Sequence, residues 1–368
     1  MPRLANVDAV VNCAGVLHAP AAASMEAIHV RAPAALFGAC ERAGVRRVVH
    51  VSAISANRDA HTVYASTKLE SEERLRASTL EWVVLRPSLV HARGAYGGTA
   101  ALRALASFPF FIPVPGDGSQ QFQPIWIDDL CAVIAMAIET DRLVRKTIDP
   151  VGPDLVTLRD VLVDYRRWLG FPAARVAAMP RWVVHLVTRL ADRMGGTLNS
   201  TALAQLEHGN SGDAGAFVDA TGLRPLGWRQ ALERNPAHAQ DRWHARMYLV
   251  RPILRATLAF LWLVSGFAGL FALREWTPLL ARDAGVGFEV AGLALIVCCV
   301  ADIVIGVLVA RRWRPRPLAA IQTLLIVAYT LAASLLWPSL WAEALAPLAK
   351  NLPIAAAALA LGAIEEER

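Results

Sequence analysis

Tyr64 and Lys68 stand four residues apart in the stretch Tyr64-Ala-Ser-Thr-Lys68. On a helix that spacing puts the phenol and the ammonium on one face. An ammonium beside a phenol favours the phenolate and lowers its pKa. A tyrosine tuned in this way passes a proton to or from a carbonyl or alcohol near neutral pH. Two serines precede the pair, Ser52 and Ser55, and either hydroxyl can hold the same substrate oxygen. Further upstream lies Asn12-Cys13-Ala14-Gly15, a short polar turn directly after an apolar run. The chemistry these residues offer is proton transfer at a carbon–oxygen centre.

The elements that must position them read as a doubly wound α/β sheet. Three runs, 8–15 (DAVVNCAG), 46–53 (RRVVHVSA) and 81–90 (EWVVLRPSLV), are short and valine-rich without alternation, as parallel strands buried on both faces are. Helical patterns at 24–43 and 64–78 separate them, and Gly44 stops the first. Strand, helix, strand, helix, strand is the βαβ signature, and such sheets bind ligands at the carboxyl ends of their strands. The turn, the serines and the tyrosine helix all fall at those ends. Further on, Asp128 is expected to cap a helix, and Thr157-Leu-Arg-Asp160 to open another. The stretch 179–196 is amphipathic, basic and Trp-bearing; a packing helix is the plain expectation, and a helix lying on a bilayer or covering a substrate pocket is the alternative.

The rest of the chain is of a different kind. Of its 368 residues, 55% are hydrophobic and only 18% charged, below the quarter or so charged that a water-soluble chain carries. Four apolar stretches close it, at 253–273, 288–310, 318–337 and 344–364, each of about the length that crosses a bilayer as a helix. Arg242, Arg246, Arg251 and Arg255 precede the first, and Arg311, Arg312, Arg314 and Arg316 lie between the second and third. By the positive-inside rule both termini and the α/β domain face the cytoplasm, in a bacterial inner membrane. The net charge of +6 is accounted for by these flanks, so nucleic acid is not an expected partner. Five scattered cysteines without metal spacing fit buried free thiols in a reducing compartment. Lys350 and Asn351 interrupt the fourth stretch, so either its helix begins near Lys350 and is short or a buried lysine sits in the bundle. Asp302, inside the second stretch, and Lys350 are either functional or paired for packing, Asp302 with Lys350 or Glu289.

The ordered set Asn-x-Ala-Gly, strand-end serines, YxxxK and LRPSLV resembles the short-chain dehydrogenase/reductases. The segments PVPGDGSQQFQPIWIDDLCAV and DPVGPDLVTLRDVL resemble their extended and atypical branch, nearest the subgroup related to an accessory subunit of respiratory complex I. The likeness covers roughly residues 6 to 235. It implies NAD or NADP as cofactor, Tyr64 as acid/base, Lys68 on the nicotinamide ribose, and Ser52 or Ser55 on the substrate oxygen. It places Asn12, Ala14, Gly15, Pro87 and Val90 along the nicotinamide half of the cofactor. RPILRATLAFLWLVSGF, CCVADIVIGVLVARR and APLAKNLPIAAAALAL resemble the DoxX-like four-helix membrane domains.

That resemblance also calls for a strand, a glycine-rich turn and a helix to cradle the pyrophosphate, and nothing of the kind precedes Asp8. A start assigned too far downstream, or a truncation, is the expectation, and the 8–15 strand would then be a sheet edge. The expected division is 1–150, a truncated nucleotide-binding domain; 151–240, its substrate side; and 241–368, the membrane domain. The expected function is a membrane-anchored, NAD(P)-dependent oxidoreductase for a carbonyl, alcohol or quinone-like lipid, with the bilayer and a hydrophobic small molecule as partners. The alternative is a non-catalytic nucleotide-binding scaffold or assembly factor of a respiratory or other membrane redox complex.

Overall fold

The computed structural model describes residues 4–17, 24–56, 62–194, 199–207, 209–344 and 346–365. The chain divides into two compact units, Met1–Arg246 and Met247–Arg368. Gly195 and Gly196, which end the amphipathic stretch, lie outside the described residues.

In the first unit the strands used below are β1 (Ala9–Asn12), β2 (Arg47–Val51), β3 (Glu81–Leu85), β4 (Ile112–Pro115), β5 (Lys146–Ile148) and β6 (Val176–Met179). The helices are α1 (Ala32–Ala43), α2 (Val63–Arg76), α3 (Ile127–Glu139), α4 (Leu158–Trp168), α5 (Arg181–Met194) and α6 (Ser200–Glu207). A four-stranded parallel sheet has the order β1-β2-β3-β5, with Val10 opposite Val48 and Val49 opposite Val83. A parallel pair needs a crossover, and α1 and α2 supply two of them. Successive residues of β2 face opposite sides of the sheet. Val48 packs with Phe37, Leu75 and Val84, whereas Val49 packs with Val83, Leu130 and Val133 on the α3 side. Both faces are covered, which is why the runs do not alternate. β1 stands at an edge and is only partly buried, with Val11 exposed. β4 and β6 form a separate parallel pair.

Several local expectations hold and others are corrected. Thr157 and Asp160 form a reciprocal capping box at the start of α4. Asp128 does not cap α3: the cap position is Trp126, and Asp128 in the first turn accepts from the Trp126 indole at 2.9 Å. The helix expected over 24–43 is interrupted by a π turn, Ala27–Arg31, before α1. Pro33 is the physical cause. It has no N–H for the carbonyl four residues back and its ring crowds that carbonyl, so the ladder slips and Ala32 N–H bonds to Ala27 O. Cys13 and Cys131 are exposed, not buried; all five thiols are free.

The second unit is helical: α7 (Ala239–Phe271, which begins in the first unit), α8 (Leu273–Ala284), α9 (Phe288–Ala310), α10 (Pro315–Leu336) and α11 (Asn351–Ile364). Among the described residues three helices, α7, α9 and α10, are long and apolar enough to cross a membrane. Of the two readings of the fourth apolar stretch, the short helix beginning near Lys350 is the one found. Its helix starts only at Asn351 and has 14 residues, about 21 Å against a hydrocarbon thickness of about 30 Å. Lys350 sits exposed at its cap, not buried in the bundle. Leu258, Trp262, Ile305, Leu318, Ile326 and Leu361 form the interior, while Phe260, Leu324 and Leu335 point outward, as lipid-facing residues do. Asp302 is paired with neither Lys350 nor Glu289. It accepts from Ser265 Oγ at 2.8 Å and Tyr329 OH at 3.0 Å, and Trp262 donates to Gln322 Oε1 at 2.9 Å. The interior polar groups are thus shared among α7, α9 and α10.

Candidate nicotinamide site

The carboxyl ends of β1 and β2 meet the start of α2. Thr62 caps α2, its hydroxyl accepting from Ala65 N–H at 3.1 Å, and so fixes where Tyr64 and Lys68 emerge. Lys68 is buried and reaches back across both strand ends. Its Nζ donates to Ala14 O at 3.0 Å and Val51 O at 3.1 Å. Two of the three ammonium hydrogens are therefore committed to backbone. Burial pulls the Lys68 pKa down to about 8. Gly15 makes the approach possible, because a Cβ there would lie 2.9 Å from Lys68 Nζ.

The turn after β1 is built by side chains. Asn12 Oδ1 accepts from Ala14 N–H at 3.1 Å, and its amide donates to His50 Nδ1 at 3.0 Å. His29, on the π turn, accepts from Val16 N–H through Nε2 at 2.9 Å and donates from Nδ1 to Thr67 Oγ1 at 2.9 Å. Thr67 passes its own hydrogen to Val63 O at 2.7 Å, which agrees with a neutral His29 carrying its proton on Nδ1. Burial, and then the nearby Lys68 charge, lower the His29 pKa to about 4. The His29 ring meets the half-buried Tyr64 ring edge-on, with centroids 5.4 Å apart.

The electrostatics of Tyr64 differ from the sequence expectation. Burial pushes its phenol up to about 12, so the group is a neutral acid across the physiological range. The lysine next to it is turned toward two backbone carbonyls.

The two candidate serines are unlike. Ser52 is buried and gives its hydroxyl hydrogen to Glu72 Oε1 at 2.5 Å. Glu72, fully buried, is also held by Arg86 Nη2 and Arg76 Nη2, each at 2.7 Å. Ser55 Oγ is buried and has no hydrogen-bond partner among the described residues. Pro87 follows β3, its carbonyl accepting from Ile54 N–H at 3.1 Å, and Val90 opens a two-residue strand paired with Ile125. His29, His50 and Glu72 escaped sequence reasoning. Two are lone histidines in apolar or helical runs, and Glu72 sits in an ordinary-looking charged helix.

The residues present fit the nicotinamide end of a dinucleotide. There is a glycine where the backbone must stay bare, a lysine with one hydrogen to give, and an unpaired buried hydroxyl. Among the described residues no group of histidines, cysteines and carboxylates is disposed to hold a metal.

Comparison with known proteins agrees with both units. Residues 2–104 match the model of an NAD(P)H-binding family, and residues 259–359 that of the DoxX-like family. The subunit of Arabidopsis thaliana named NADH dehydrogenase [ubiquinone] 1 alpha subcomplex subunit 9, mitochondrial, is 29% identical over 157 residues, 38% of this chain and 37% of that one. Its Rattus norvegicus counterpart is 25% identical over 174 residues, 45% of this chain and 43% of that one. The chain thus matches less than half the length of these curated relatives. Among solved structures, the dTDP-glucose 4,6-dehydratase of Bacillus anthracis in complex with NAD is 15% identical with a TM-score of 0.48, over 62% of this chain and 74% of that one. The chain joins an NAD(P)-binding, Rossmann-like domain to a C-terminal DoxX-like membrane domain.

Proposed function

We propose that the protein is a membrane-anchored oxidoreductase that reduces a carbonyl or quinone-like lipid with NAD(P)H, or oxidises the corresponding alcohol. The observation that carries this reading is the placement of Tyr64 one helical turn before Lys68, whose ammonium bridges the ends of β1 and β2. A nicotinamide held here would supply the hydride equivalent for the carbonyl carbon. Tyr64, a neutral phenol at neutral pH, gives its proton to the carbonyl oxygen and regains one from solvent. The third hydrogen of Lys68 would hold the nicotinamide ribose. Ser55 takes the role of orienting the substrate oxygen, since Ser52 is committed to Glu72. Asn12, Ala14, Gly15, Pro87 and Val90 line the cofactor. The arginines ahead of the first apolar stretch, Arg242, Arg246, Arg251 and Arg255, and those ahead of α10, Arg311, Arg312, Arg314 and Arg316, support a cytoplasmic position for the first unit at a bacterial inner membrane.

The test is oxidation of NADPH and NADH by the full chain in nanodiscs, with short-chain quinones and aldehydes as acceptors. Tyr64→Phe is expected to lower turnover at least about a hundredfold and leave nucleotide affinity within about threefold. Turnover unchanged in Tyr64→Phe defeats the assignment. A second reading is a nucleotide-binding scaffold of a membrane redox complex. It is favoured by the use of Lys68 and Ser52 in internal bonds and by the names of the mitochondrial relatives. Nucleotide binding without turnover on any acceptor, together with co-purification of a respiratory complex, would favour it.

A further inference from the structure

Helix α5 uses only a narrow strip to pack. Thr188 is buried, and Val184 and Ala191, on the same side of the helix at 100° per residue, are half-buried. The opposite arc carries Trp182, Leu186, Leu190 and Val187, which are 70%, 51%, 46% and 45% exposed. Arg189 and Arg193, both exposed, run along one edge of that arc, and Arg181 precedes it. The helix holds three arginines against a single aspartate, Asp192. The plain packing helix expected from sequence is therefore not what is found: its largest apolar side chains face outward.

An exposed apolar arc edged by arginines, with a tryptophan at one end, has the composition of a helix lying in a lipid–water interface. The charge is complementary to anionic headgroups. The same chain supplies the membrane, because three of its helices are long and apolar enough to cross one. A surface element so tethered meets lipid at high effective concentration without strong intrinsic affinity. We infer that α5 is an interfacial helix, seated in the headgroup region of an anionic bilayer through Trp182, Leu186 and Leu190, with Arg189 and Arg193 on lipid phosphates.

The seating reaches the candidate site. Helix α6 packs against α5, and Gln205 of α6 donates to Thr62 Oγ1 at 2.5 Å. Thr62 is the cap of the helix that carries Tyr64. Lipid contact at α5 thus bears, through one intervening helix, on the residue that fixes where Tyr64 begins.

The experiment places the photocrosslinker p-benzoylphenylalanine at position 186, and in a second variant at 190, of the full chain in nanodiscs. Position 73, held by the exposed Glu73 of α2, is the control. Nanodiscs of phosphatidylglycerol with phosphatidylcholine are compared with phosphatidylcholine alone, and adducts are read by mass spectrometry. Lipid adducts at 186 and 190 but not at 73, reduced roughly threefold or more by R189E with R193E or by omitting the anionic lipid, are the expected result. Adducts to protein, whether a second copy or another chain, or equal lipid labelling at 73, overturn the inference. So does the absence of lipid adducts at both 186 and 190. The readout needs neither nucleotide nor turnover, so it fails or succeeds separately from the oxidoreductase reading.

Discussion

Ser52 Oγ donates to Glu72 Oε1 at 2.5 Å, and Glu72, from the middle of α2, is enclosed by Arg76 and Arg86. A buried carboxylate shared by two guanidinium groups and a hydroxyl is costly to create and costlier to break. Glu72→Ala leaves both arginines and Ser52 facing a void. It is expected to destabilise the first unit by about 3–5 kcal/mol, with Glu72→Gln retaining part of that. Hydrogen exchange of the β2 amides in the full chain measures it. A loss below about 1 kcal/mol would mean that water replaces the carboxylate.

Gly15 is where loop and lysine touch. A methyl added there would press on Lys68 Nζ at 2.9 Å and Cε at 3.3 Å, and the Lys68 side chain is held at its far end by two carbonyls. Gly15→Ala is expected to displace Lys68 and weaken NAD(P)H binding about tenfold, while global unfolding moves by roughly 1 kcal/mol or less. Isothermal titration in nanodiscs separates the two effects. Equal affinity in the variant would show that Lys68 does not hold the nucleotide.

The first unit should be acid-labile. His29, His50 and His91 are buried and neutral, their pKa values lowered mainly by burial to about 4, 3 and 3. The unfolded chain binds protons at these groups near their ordinary 6.5, where the folded one does not. Their stabilising contribution is fully present above pH 6.5 and is lost as the pH falls toward about 4 for His29 and about 3 for His50 and His91, at up to roughly 1.4 kcal/mol per pH unit for each histidine. The urea midpoint of the first unit is expected to fall markedly between pH 7 and pH 5. An unchanged midpoint would contradict the neutral assignment.

In the second unit α7 and α9 approach through glycines. A Cβ on Gly266 would sit 2.6 Å from the Cys299 carbonyl oxygen, and one on Gly306 would sit 2.7 Å from Leu263 Cγ. Small residues at such crossings let helix backbones pack closely where no hydrophobic drive exists. Gly266→Val is expected to lower the detergent-solubilised melting temperature by several degrees. Val264→Ala, at an exposed position of the same helix, should leave it nearly unchanged.

The parallel sheet was legible because burial on both faces erases alternation, and 46–53 reads that way in isolation. The Thr157 box was legible because its two partners are three residues apart. What escaped depends on partners distant in sequence. Glu72 lies among Glu70, Glu73, Arg74 and Arg76 and looks like part of a solvated face; Ser52 and Arg86, reaching over from the ends of β2 and β3, show that it is interior. Lys68 satisfies the YxxxK spacing, yet the spacing does not reveal that its ammonium reaches the Ala14 and Val51 carbonyls, or that burial pushes the Tyr64 phenol up to about 12. The start of the last helix was legible only as one of two alternatives, because the apolar content of 344–364 is nearly continuous and only Lys350 and Asn351 interrupt it; the helix starts after Lys350.

The π turn at Ala27–Arg31 gives the first unit an unusual sensitivity. A substitution in this segment changes one side chain, whereas gaining or losing one residue rotates everything on one side of it by about 100° relative to the other. His29 sits inside the turn and joins Val16, Thr67 and the Tyr64 ring. Among related chains, length in this segment should therefore be held more strictly than identity. A single-residue insertion or deletion, ordinarily tolerated near a helix start, would swing the imidazole out of the site at one stroke.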